Sequence, residues 1–89
     1  MSRYHIESIH TAEECLRALD EIVVKGSDVL DKYEWGCMEG DHTGYAVVEA
    51  GGEAEVKKMI PSFLVGKSKI VKLNKFTVEQ IREFHKKTA

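Results

Sequence analysis

The hydrophobic period of the chain switches several times between two residues and a helical turn, and each switch marks an element. Arg3 to His10 alternates, with Tyr4, Ile6 and Ser8 on one side and His5, Glu7 and Ile9 on the other, as in a strand. From Thr11 the period lengthens. Cys15, Leu19, Ile22 and Val23, with Leu16 beside them, recur at helical spacing and predict the buried stripe of an amphipathic helix. Thr11-Ala12-Glu13-Glu14 has the form of a capping box, in which the Thr hydroxyl accepts from the third amide while Glu14 reaches back. Lys25 suits the negative end of that helix, and Gly26 ends it as a left-handed cap. Ser27 to Asp31 is expected to add one further turn, capped by Ser27.

Two runs rich in aromatic and β-branched residues, Tyr33–Met38 and Thr43–Ala50, flank Glu39-Gly40-Asp41-His42 and predict a hairpin. Tyr33, Trp35 and Cys37 share one face of its first strand. On its second strand Thr43, Tyr45, Val47 and Glu49 oppose Gly44, Ala46, Val48 and Ala50. Gly51-Gly52 breaks the strand, and a helix is expected from Glu53, with Ala54, Val56, Met59 and Ile60 as its apolar positions. Pro61 ends or kinks it. Ser62 to Val65 reads either as a last helical turn or as a connector carrying core side chains, and Gly66 closes the segment. Lys69 to Phe76 reads as a fourth strand, with Val71 and Leu73 facing one way and Ile70, Lys72, Asn74 and Phe76 the other. Thr77, with Gln80, opens a last helix through a second capping box, and its stripe of Val78, Ile81 and Phe84 is narrow.

The order strand, helix, strand, strand, helix, strand, helix describes an α+β fold. Its first six elements match the split βαβ, or ferredoxin-like, arrangement: a βαββαβ antiparallel sheet with both helices on one face, here with an extra C-terminal helix. Residues 1–89 read as a single domain of this kind. The compact apolar positions Ile6, Ala46, Val48, Val71 and Leu73 are expected under the helices. That sends His5, Glu7, Trp35, Cys37, Tyr45, Val47, Glu49, Lys72 and Asn74 to the uncovered face. Trp, Tyr and Val exposed together form an apolar patch, for which a second copy of the chain is the simplest cover.

Composition narrows the partners. A formal charge of -2 with no basic face argues against a nucleic-acid backbone. Lys67, Lys69, Lys72 and Lys75 are interspersed with apolar residues and read as solvated positions, rather than as a phosphate site. No apolar run approaches the roughly 20 residues of a membrane span, and Met1 to Glu7 lacks the apolar core of a signal peptide. Cys15 and Cys37 are too few for a disulfide framework. A cytoplasmic location with reduced thiols is the expectation, and no motif implies a cofactor.

Glu34-Trp35-Gly36-Cys37, Gly40-Asp41-His42-Thr43-Gly44-Tyr45 and Lys75-Phe76-Thr77-Val78-Glu79-Gln80-Ile81 resemble segments of short prokaryotic proteins of unknown function, of the dimeric α+β barrel superfamily. The resemblance covers nearly the whole chain. It implies two ferredoxin-like sheets packed face to face in a homodimer. Relatives with known roles include cofactor-independent monooxygenases, haem-degrading enzymes, small-molecule isomerases and ligand-sensing domains. The fold therefore narrows function little, and no catalytic motif carries over.

Three constellations compete. His5, Glu7, Trp35, Cys37, Tyr45, Glu49 and Lys72 are expected to line a cavity on the sheet face, either as a small-ligand site or as a polar dimer interface in which Glu7 or Glu49 pairs with Lys72. The leading expectation is a non-enzymatic small-molecule binding or assembly module acting as a homodimer. The alternative is a cofactor-independent oxygenase or isomerase that uses the same cavity, with His5, Trp35, Cys37 and Tyr45. The third is a transition-metal binding protein using His10, Cys37, Asp41 and His42. These four lack Cys-x-x-Cys or paired-His spacing, and Asp41 more simply stabilises its turn. As a nucleophile Cys37 needs a neighbouring base, which His5 supplies only if the first strand meets the hairpin at that height. Cys15 reads as inert core, and His85 as a partner of the last helix's dipole. Gly40 to Gly44 joins strands and lacks the Walker pattern, so a phosphate loop is rejected.

Overall fold

A computed structural model describes residues 1–88 of the chain. Four strands, β1 (Ser2–Ile9), β2 (Tyr33–Trp35), β3 (Thr43–Ala50) and β4 (Ser68–Leu73), form one antiparallel sheet in the order β2-β3-β1-β4. Helices α1 (Cys15–Lys25), α2 (Ser27–Leu30), α3 (Glu53–Lys57) and α4 (Val78–Thr88), with 3₁₀ turns at Cys37–Glu39 and Ser62–Lys67, complete the described elements. None of these helices is long and apolar enough to cross a membrane.

The core forms where the covered sheet face meets α1, α3 and the second 3₁₀ turn. Tyr4, Ile6, Ala46, Val48 and Ala50 line the sheet side; Ala18, Ile22, Val56, Ile60 and Leu64 close it from above. Each fully buried Ile, Leu or Val of this set contributes about 1.5–3 kcal/mol relative to exposure. Helix α1 buries Ala18 and Ile22, while Leu16 and Val23 lie outside the stripe expected of them and stay exposed. Both capping boxes form. The Thr11 amide donates to Glu14 Oε1 at 2.9 Å and the Glu14 amide to Thr11 Oγ1 at 3.2 Å. The Thr77 amide donates to Gln80 Oε1 at 2.8 Å and the Gln80 amide to Thr77 Oγ1 at 3.2 Å. Gly26 does end α1, but at φ 129° and ψ 151°, outside the left-handed helical well.

Three expectations need correction. Strand β2 stops at Trp35 instead of continuing through Cys37 to Met38, because the Gly36 carbonyl turns to accept from the Glu39 and Asp41 amides at 2.9 and 3.0 Å. Tyr33 and Trp35 face the helices, not the open side: their cross-strand partners are Ala46 and Gly44. The Trp35 ring lies so close over Gly44 that a Cβ there would sit 2.7 Å from it, and the Tyr33 and Trp35 rings stack at 5.2 Å. In β4 the faces are exchanged. Ile6 pairs with Ile70 and Tyr4 with Lys72, so Ile70 and Lys72 take the helix side while Val71 and Leu73 take the open side. A one-residue change of register does this to every side chain of a strand.

The open face therefore carries three rows across β3, β1 and β4: Tyr45–Glu7–Lys69, Val47–His5–Val71 and Glu49–Arg3–Leu73. Helix α4 keeps Val78, Ile81 and Phe84 substantially exposed, and Phe84 meets Phe76 edge-on at 5.5 Å.

Candidate metal centre

The densest chemistry lies at one end of the sheet, where two connections meet. His10 follows β1, Cys15 is the first residue of α1, Cys37 begins the 3₁₀ turn after β2, and His42 precedes β3. Backbone bonds fasten these segments together. The His10 amide donates to the His42 carbonyl at 3.0 Å and the Gly36 amide to the Thr43 carbonyl at 3.1 Å. Gly36 is required here, since a Cβ on it would lie 2.8 Å from the Asp41 carbonyl oxygen. Gly40, at φ 86°, supplies the left-handed residue that turns the loop back toward β3.

One nitrogen from each His and the two Cys sulfurs all lie within 4.8 Å of one another. His10 is buried and the other three residues are half-buried. Nδ1 of His10 lies 3.4 Å from the Ser8 carbonyl oxygen, which only accepts, so the ring proton belongs on Nδ1. Nε2 is then left with its lone pair, 3.3 Å from Cys37 Sγ. A His whose other ring nitrogen is held by a backbone carbonyl in this way is oriented for a metal. The His42 ring meets His10 edge-on at 5.7 Å, and its Nδ1 is buried with no hydrogen-bond partner. Burial, then the adjacent Cys15 thiol, then the Asp41 charge push the Cys37 thiol up to about 11, so without a metal it stays protonated at neutral pH.

Of the residues expected as metal ligands, the structure brings together His10, Cys37 and His42, and it excludes Asp41. The Asp41 carboxylate instead accepts from the hydroxyls of Thr43, at 2.8 Å, and Tyr45. Those two donors hold its pKa below the usual aspartate value. Cys15, expected as inert core, is the fourth member. A signal was available in the spacing: His10-x₄-Cys15 and Cys37-x₄-His42 are mirror images, each a four-residue gap between one nitrogen and one sulfur ligand. Neither half is a standard zinc spacing, which is why a search for Cys-x-x-Cys passes over it.

The residues expected to line one cavity are divided. His5, Glu7, Tyr45 and Glu49 lie on the open face, Trp35 is on the covered face, and Cys37 is in the metal cluster. Lys72 pairs with Tyr4 on the helix side of the edge strand. The Cys37–His5 pairing needed for a nucleophile is thereby replaced by Cys37–His10. His5 and Tyr45 stack at 6.3 Å and, with Lys32, Glu34 and Val47, border an open groove of about 450 Å³.

No family model matches this chain, and neither the curated proteins nor the solved structures searched contain a match.

Proposed function

We propose that this protein is a transition-metal-binding domain in which His10, Cys15, Cys37 and His42 hold one zinc-class ion. The convergence of the four ligand atoms within 4.8 Å carries this reading. Tetrahedral zinc, with Zn–S near 2.3 Å and Zn–N near 2.0–2.1 Å, sets its ligands roughly 3.3–3.8 Å apart. His10 Nε2 and Cys37 Sγ, at 3.3 Å, are already at that spacing. The widest pair has about one ångström to close, within reach of small side-chain rotations about a tetrahedral ion. Two sulfur and two nitrogen donors favour zinc over magnesium, calcium or manganese, which prefer oxygen.

Four protein ligands leave no open coordination position, so the site fits a structural or metal-sensing role rather than hydrolytic catalysis. The ion would tie the end of β1 and the start of α1 to the loop between β2 and β3. In a domain this small, such a link couples metal binding to folding. Titration with Co²⁺ tests the reading: one equivalent should produce the visible absorption of a tetrahedral sulfur-containing site, and Zn²⁺ should abolish it. Folded protein that shows no such absorption, and no bound zinc by native mass spectrometry, rejects it.

A second reading concerns assembly. The strand order β2-β3-β1-β4 supports a ferredoxin-like fold, and the exposed Val47 and Val71 on either side of His5 support a homodimer through the open face. An in-plane two-fold axis along the Val47–His5–Val71 row lets that row face its own copy. It also sets Glu7 against Arg3 of the partner subunit, so the face is complementary to itself in charge as well as in apolar character. Light scattering on the purified protein reports this directly.

A further inference from the structure

Beyond holding a metal, the site contains two cysteines, and neither is fully buried. Cys15 and Cys37 are both half-buried free thiols. Their sulfurs lie within the same 4.8 Å cluster and come from the first residue of α1 and the first residue of a one-turn 3₁₀ helix. A disulfide needs about 2.05 Å between sulfurs, so one has to move toward the other. The movement falls on the short loop from Gly36 to Asp41, which is tied to the fold by backbone bonds to Thr43, by the Asp41 carboxylate's bonds to Thr43 and Tyr45 and by the His10–Cys37 contact, its other hydrogen bonds lying within its own turn.

We infer that Cys15 and Cys37 are a redox pair: a peroxide joins them as a disulfide and the metal is released. This deepens the metal-binding reading and rests on it for the release step. In the loaded site the two thiolates supply two electrons and form the S–S bond. The O–O bond of hydrogen peroxide accepts those electrons and, with two protons from solvent, leaves as two water molecules. The zinc remains divalent and departs because its two sulfur donors have become one disulfide. His10 and His42 alone are left, and two imidazoles hold zinc far less tightly than the full set. A thiol reductant reverses the step by exchange through a mixed disulfide, restoring both ligands. Neither cysteine is fully buried, and a small peroxide can approach the pair.

The test uses the full chain loaded with one equivalent of Zn²⁺, treated with hydrogen peroxide, and followed with a chromogenic zinc chelator and by intact mass. The expected result is one zinc released per chain and a monomeric mass about 2 Da lower, with both reversed by dithiothreitol. The same oxidation of metal-free protein is the second measurement. It keeps the two readings distinguishable and does not depend on whether Cys15→Ser or Cys37→Ser folds. Zinc binding followed by mass gains in steps of about 16 Da, or by disulfide-linked dimers, overturns the redox pair while the metal site stands. Loss of about 2 Da in a chain that binds no zinc overturns the metal site, and with it the release, while the thiol pairing stands.

Discussion

Nε2 of His10 lies 3.3 Å from Sγ of Cys37, although the two residues are 27 positions apart and belong to opposite sides of the β1–β3 pairing. The contact exists because the end of β1 and the loop after β2 are both bonded to the residues that lead into β3. A nitrogen of His42 and a second thiol complete the cluster.

If Cys15 is a ligand and not packing, replacing it should abolish metal-dependent stabilisation, whereas replacing its exposed neighbour should not. Zinc at 100 times its Kd should stabilise the native chain by about 2.7 kcal/mol through linkage. Cys15→Ser should lose nearly all of this increment and Leu16→Ala none, as read from urea unfolding with and without zinc. Equal increments in both variants would remove Cys15 from the site.

Metal affinity should fall as the pH is lowered. The metal takes the Cys37 thiolate, yet burial and the neighbouring Cys15 hold that thiol up at about 11, so binding must displace its proton across the whole neutral range. Each displaced proton weakens apparent affinity about tenfold per pH unit of acidification. A chelator competition run from pH 8 to about 6.5 checks this, and a flat profile would show that no thiol proton is released.

Gly36→Ala should damage the site more than the fold. The backbone at Gly36 has an ordinary φ of -90°, so the added Cβ is opposed by Asp41 alone, its carbonyl oxygen 2.8 Å away and its Cβ at 3.0 Å. Relieving that contact opens the loop bearing Cys37, at a stability cost of about 1–3 kcal/mol. The expected outcome is native circular dichroism with zinc affinity reduced at least tenfold. Unchanged affinity would mean that the loop absorbs the methyl group elsewhere.

Asp41 should contribute to acid sensitivity through its turn. The hydroxyls of Tyr45 and Thr43 lower its pKa. Its stabilising effect is therefore complete above the ordinary aspartate range and is lost as the pH falls through the lowered folded-state value. Asp41→Asn should flatten the acid limb of thermal stability below about pH 4. An unaltered limb would assign that limb to other carboxylates, such as Glu14 and Glu21, whose pKa values are also lowered.

Opposite charge reversals test the open face. Arg3→Glu and Glu7→Arg should each dissociate a two-fold dimer, and the double variant should restore it, because the swapped charges meet again across the axis. Light scattering that gives the same mass for all four proteins would leave Val47 and Val71 facing solvent or another partner.

Much of the local structure was legible in the residues. Both capping boxes, the breaks at Gly26 and Gly51, and the alternation of β1 depend on neighbours within one turn or on a two-residue period, and the structure forms each of them. The face assignments of β2 and β4 were not legible. Ile70-Val71 places two adjacent apolar residues in β4, so alternation does not choose between them, and only the pairing of Ile6 with Ile70 does. Trp35 could be placed on the covered side only by knowing that Gly44 lies opposite and leaves room for its ring.

The candidate site divides along the same line. Sequence alone determined which side chains were available as ligands, and it marked His10, Cys37 and His42 as chemically able to take a metal. It left Cys15 on a helical stripe, because helical periodicity records burial and carries no information about what a side chain meets. Tertiary structure brought the first residue of α1 to the loop after β2 and sent Asp41 to Thr43 and Tyr45 instead. Capping and strand alternation are set by bonds between near neighbours. A four-ligand cluster assembled from two separate connections depends on register and on the path of each loop, which only the folded chain fixes.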